Sequence, residues 1–140
     1  MPTRSAAVNA TLDKLAEELL GLATSNEPFD MSHVPFIVSL MGGAQPQSRQ
    51  AKGASIALKL SRSTKGDKEE KRVALVAAGA SEPLVALLSS DEAKAAEDAA
   101  RCLANLAVES DVQSRRIAEA GAIEPLITLL SAGADSKVAE

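Results

Sequence analysis

Apolar residues recur along the chain in short blocks of helical period, separated by glycine, proline and charge. Residues 5–24 place Val8, Leu12, Leu15, Leu19 and Leu22 at spacings of four and three, one stripe of an amphipathic helix, with Asp13, Lys14, Glu17 and Glu18 off it. Residues 25–34 read as a connector, broken by Pro28 and rich in turn and cap formers. Residues 35–43 open on a proline, continue as an apolar run and close on Gly42 and Gly43, the pattern of a short helix. A longer helix is predicted over 46–61, with Ala54, Ile56, Ala57 and Leu60 inward, followed by a charged connector over 62–70.

From residue 68 the pattern becomes regular. A helix over 68–78 stops at Gly79, a second runs over 81–89 with Pro83 in its first turn, and a third spans 92–107. The cycle then restarts with a helix over 111–120, a stop at Gly121 and a helix over 123–131. Residues 131–135 (SAGAD) read as a loop into a further helix starting at Ser136. The two cycles share their wording. AGASEPLVALLS at 78–89 and AGAIEPLITLLS at 120–131 agree at nine of twelve positions, 42 residues apart. A period in the 40s is the mark of stacked helical units.

Composition agrees with that picture. Hydrophobic residues make up 46% of the 140, aromatics only 1%, and Trp and Tyr are absent. A core of Ala, Leu, Val and Ile suits helices packed at close range. The net charge of −4 gives no overall case for nucleic acid, and no aromatics interleave the basic residues for base stacking. No apolar run approaches the roughly 20 residues needed to span a bilayer. The acidic residues of the first helix argue against a signal or transit peptide. Cys102 is alone and His33 is the only histidine, so a disulfide within the chain and a His-pair metal site are excluded in their usual forms, and a Ser-His relay is not expected. Cys102, among Ala and Leu, is expected to be a small buried thiol, and His33 a surface or capping residue. No phosphate-binding glycine loop is present, and no cofactor is expected.

The unit of short helix, glycine stop, proline-initiated helix, loop and long helix resembles the armadillo repeat, the unit found in beta-catenin and importin-alpha. The resemblance rests on VAAGASEPLVALLS (76–89), AARCLANLA (99–107) and IAEAGAIEPLITLLS (117–131), with GASIALKLS (53–61) a weaker copy. It implies an all-α, right-handed superhelical solenoid of three-helix repeats forming one domain over 1–140. Its parts would be a capping helix at 5–24, a degenerate repeat at 34–62, a full repeat at 68–108 and a truncated repeat at 111–140.

In that family the third helices line a concave groove that binds extended segments of partner proteins, and an Asn near the helix end grips the ligand backbone. Asn105 stands at that position. Arg101 stands where importin-alpha-like repeats carry Trp, so the Trp–Asn ladder for basic localisation signals is missing. Stepping along helix faces from Asn105, and from Lys59 one repeat earlier, assigns the groove to Lys52, Ser55, Lys59, Lys94, Asp98, Arg101 and Asn105. This face is locally basic on an acidic protein and is expected to take an acidic or extended polar segment.

The expected function is therefore a non-enzymatic scaffold or adaptor with a protein or peptide partner, in the cytoplasm or shared with the nucleus. A second reading is a self-associating module, whose C-terminal face forms a homo-oligomer contact. A third is the recognition arm of a larger enzyme such as a ubiquitin ligase. Counting one period on from Asn105 passes Glu140, which predicts a longer natural protein and a C-terminal face covered by another chain.

Overall fold

A computed structural model of the protein describes residues 4–25, 30–62, 68–107 and 111–138. Among these residues there are eight α-helices and no strand. They are α1 (Arg4–Thr24), α2 (Val34–Leu40), α3 (Gln47–Ser61), α4 (Lys68–Ala77), α5 (Ser81–Leu87), α6 (Ala93–Ala107), α7 (Asp111–Glu119) and α8 (Ile123–Val138). A single 3-10 turn, Met31–His33, leads into α2. The expected connectors at 25–34 and 62–70 lie partly outside the described residues.

The duplicated AGA tripeptide has a definite local structure. Gly79 and Gly121 sit at φ +85° and +93°, where a side chain is strained and glycine is not. The Gly79 N–H donates to the Val76 carbonyl and the Ala80 N–H to Leu75, both at 3.0 Å. One repeat on, Gly121 donates to Ala118 at 3.0 Å and Ala122 to Ile117 at 3.3 Å. These paired bonds satisfy the last carbonyls of α4 and α7 in the Schellman arrangement. The alanine that follows each glycine is buried against the residue it bonds: Leu75, Ala80, Ile117 and Ala122 are all at most 6% exposed. The next helix starts at once, so two local bonds and one apolar contact set the corner between α4 and α5, and again between α7 and α8.

The core runs continuously through these units. Ile37 and Leu40 of α2, Ile56 and Leu60 of α3, Leu75 of α4, Leu84 of α5, and Leu103 and Leu106 of α6 are almost fully buried. Removing each such side chain from water contributes about 1.5–3 kcal/mol before chain entropy is counted. The inward positions expected on 46–61 are all buried. α3 is the central helix, packed against α1 on one side and α6 on the other. Gly53 permits α2 to approach it closely, since a Cβ there would lie 2.8 Å from Met41 Cγ.

Two expectations are corrected. The first concerns residues 131–135, which do not form a loop: α8 continues unbroken through them to Val138. In the preceding unit the break after α5 is supported by Ser90, whose Oγ accepts from the Glu92 N–H at 3.1 Å. The equivalent stretch carries Ala132 and Ala134, which favour helix. The second concerns α1, whose expected stripe is only partly buried: Leu19 is inward and Leu12 half-buried. Ala16 and Leu19 face the core, whereas Val8, Leu15 and Leu22 are 51%, 41% and 46% exposed. Small Ala16 lets α1 lie close to α3, and this contact turns three of the five expected apolar positions outward.

Candidate partner-binding face

Bonds between side chains align α1, α3 and α6. Arg49, buried within α3, donates through Nε to Asp13 Oδ1 at 2.9 Å and through Nη1 to Gln45 Oε1 at 2.6 Å. Its other guanidinium nitrogen reaches Asn9 Oδ1 at 3.3 Å and the Asn9 carbonyl at 3.4 Å. Lys52, one turn further along α3, pairs with Glu17, one turn further along α1. The two helices therefore run in the same direction. At the other side of α3, Asn105 Nδ2 donates to Ser61 Oγ at 3.1 Å, joining the last turns of α6 and α3. Ser61 is fully buried, and its hydroxyl donates in turn to the Leu58 carbonyl at 2.9 Å.

Six of the seven residues expected on the groove reach the surface in some degree. Lys94 and Arg101 are exposed, while Lys52, Ser55, Lys59 and Asn105 are half-buried on α3 and α6. Asp98 is buried, at 4% exposure, and so is not offered to a ligand as expected. The reason is angular. The exposed stripe of α6 passes through Lys94, Glu97, Arg101 and Ala104, and Asn105 lies at its border, so seven residues back from Asn105 falls on the inner side. Counting from Arg101 instead finds Glu97, the exposed acid of this face.

The charges of the face are mostly matched. Arg101 Nη2 lies 2.6 Å from Glu97 Oε1, and Lys94 Nζ lies 3.4 Å from Asp98 Oδ2. Lys52 is taken by Glu17. Lys59 has no acidic partner among the described residues. The expected basic character is thus largely offset by neighbouring carboxylates, Glu17 and Glu97 among them, which the sequence stepping did not include. The pairs of Lys52 and Arg101, whose acids are exposed, are worth only about 0–1 kcal/mol each, so they yield readily to another partner.

Cys102 lies beneath this face. Burial pushes its thiol up to about 12 from an ordinary value of 9.0; a hydrogen bond with Ser61 opposes the shift, and the charge of Asp98 adds to it. It is a core residue whose reactive thiolate form burial disfavours. No group of three metal-ligating side chains occurs among the described residues, and none of their helices is long and apolar enough to cross a membrane.

Three helices, two of them meeting at a glycine turn, with the third beside the equivalent helix of the preceding unit, are the parts of one family of repeats. Residues 68–108 match the armadillo/beta-catenin-like repeat. This segment is thus similar to an armadillo repeat. The repeat comprises α4, α5 and α6, with Asn105 in its closing turn. Armadillo repeats are generally protein–protein interaction modules and are typically non-catalytic. No curated protein matches the chain.

Proposed function

We propose that the protein is a non-enzymatic scaffold or adaptor that binds an extended segment of a partner protein across α3 and α6. The observation that supports it most directly is the armadillo repeat at 68–108, whose closing helix α6 lies against α3 with Lys52, Ser55, Lys59, Lys94, Arg101 and Asn105 along the two helices. On this reading residues 34–62 are a degenerate repeat, 111–140 belong to the next one, and α1 closes the row within one right-handed superhelical domain. The setting is cytoplasmic or shared with the nucleus. Lys59, without an acidic partner, and the cheaply released Lys52 and Arg101 favour an acidic segment over a basic one. Asn105 already donates to Ser61, so it holds a ligand with its carbonyl oxygen or second amide hydrogen.

A fluorescence anisotropy series with extended acidic, neutral and basic peptides tests this. Acidic peptides bind most tightly, and the double variant Lys59→Glu, Arg101→Glu loses about tenfold or more in affinity, as a shift of about 1.4 kcal/mol requires. Equal binding of all three peptides, or unchanged affinity in the double variant, would sink the reading. Self-association is a second reading, favoured by Ile123 and Ile127, both 57% exposed and one turn apart on α8. Light scattering across concentration decides it.

A further inference from the structure

The outward stripe of α1 forms a second surface, distinct from the face of α3 and α6. Val8, Leu15 and Leu22 recur every seven residues and stand together on the outer side of the helix. Where this stripe meets α2 there is an open recess of about 280 Å³, walled by Leu15, Glu18, Leu19, Leu22, His33 and Phe36. Leu19 and Phe36 carry the wall into the core, so the recess is the outer edge of packed structure and not an isolated apolar spot. Glu18 is exposed in the wall. The other two acids of α1 are engaged, Asp13 by Arg49 and Glu17 by Lys52, whereas Glu18 has no cationic partner among the described residues.

We propose that this recess receives one amphipathic helix of a partner protein, with apolar residues at i, i+3 or i+4, and i+7 and a lysine or arginine set against Glu18. The straight stripe calls for a helix, because residues seven apart face another helix along its length. From Val8 to Leu22 it runs about 21 Å, which a partner helix of about 14 residues covers. Charge selects the kind of partner. A carboxylate at the edge of an apolar surface is matched by a base and repels an acidic helix or an anionic lipid surface. A second copy of this chain fits less well. An antiparallel α1 pair centred on Leu15 sets Val8 against Leu22 but leaves Glu18 beside Thr11 and Leu12, neither of them basic, and a parallel pair brings the two Glu18 side chains together.

The test uses the full chain and two labelled synthetic helices of about 18 residues with leucines at i, i+3, i+7, i+10 and i+14. One carries lysines beside the leucine stripe, and the other carries glutamates in their place. Anisotropy at low ionic strength is expected to show the lysine helix binding at least tenfold tighter, with the preference weakening as salt is added. Glu18→Lys reverses the order of the two helices. Leu15→Asp with Leu22→Asp abolishes binding while helical ellipticity is kept, both positions being exposed. Lys59→Glu leaves binding unchanged, which separates this surface from the α3 and α6 face. Equal affinity for both helices, no binding of either, or binding that survives the double leucine variant would overturn the proposal. So would a dimer that the leucine variant dissolves, because the occupant would then be a second copy.

Discussion

Replacing Gly53 by alanine adds one methyl group in the middle of α3, and two effects of known size oppose each other there. Helix propensity favours the change by about 0.8–1 kcal/mol. Space disfavours it. The new Cβ would lie 2.8 Å from Met41 Cγ, 3.0 Å from Leu40 Cβ and 3.4 Å from the Ile37 carbonyl. Ile37, Leu40 and Met41 are at most 2% exposed, and the Cβ of Leu40 moves only if α2 moves. Overpacking of this kind costs about 1–3 kcal/mol, so the net change is a loss of roughly 1 kcal/mol. Gly21 in α1 provides the control, because a Cβ there meets nothing within 4 Å. Gly21→Ala gains the propensity term alone, lessened by its place near the helix end. The gap between the two variants therefore isolates the packing cost, about 1–3 kcal/mol. With no Trp or Tyr in the chain, urea unfolding is followed by far-ultraviolet ellipticity. A Gly53→Ala protein as stable as Gly21→Ala would refute the close approach of α2 to α3.

Three further outcomes follow from the same structure. Gly79→Ala and Gly121→Ala each lose about 1–2 kcal/mol in urea unfolding, from the left-handed backbone alone, and Gly79→Asn loses less than Gly79→Ala. The Cys102 thiol is held protonated in the folded protein up to about 12, while the unfolded chain ionises near 9.0. Its contribution to stability is thus whole below pH 9 and is lost as pH rises towards 12; Cys102→Ala flattens that fall, and an unchanged pH profile would contradict the burial argument. Arg49→Met keeps the buried stem but removes the bonds to Asp13, Asn9 and Gln45, costing roughly 1–2 kcal/mol. Amide exchange is expected to quicken in α1 and not in α6.

Sequence alone determined what depends on neighbours along the chain. The stops at Gly79 and Gly121, the prolines in the first turns of α2, α5 and α8, and the inward positions of α3 follow from conformational preferences and periodicity within a few residues. The duplicated AGA tripeptides were legible because each turn closes its bonds within five residues. The likeness of 68–108 to armadillo repeats was legible for the same reason, since its corners are local. Tertiary structure decided the rest. Which side of α1 is buried depends on its contact with α3, fixed by pairs such as Asp13 and Arg49, 36 residues apart. The inward turn of Asp98 and the commitment of Asn105 to Ser61, 44 residues away, depend on how α6 lies against α3. A helix with apolar residues on more than half of its circumference can pack in several rotations, and its own sequence ranks them weakly. Only the helix beside it selects one, and that selection leaves Leu15 and Leu22 bare next to Glu18.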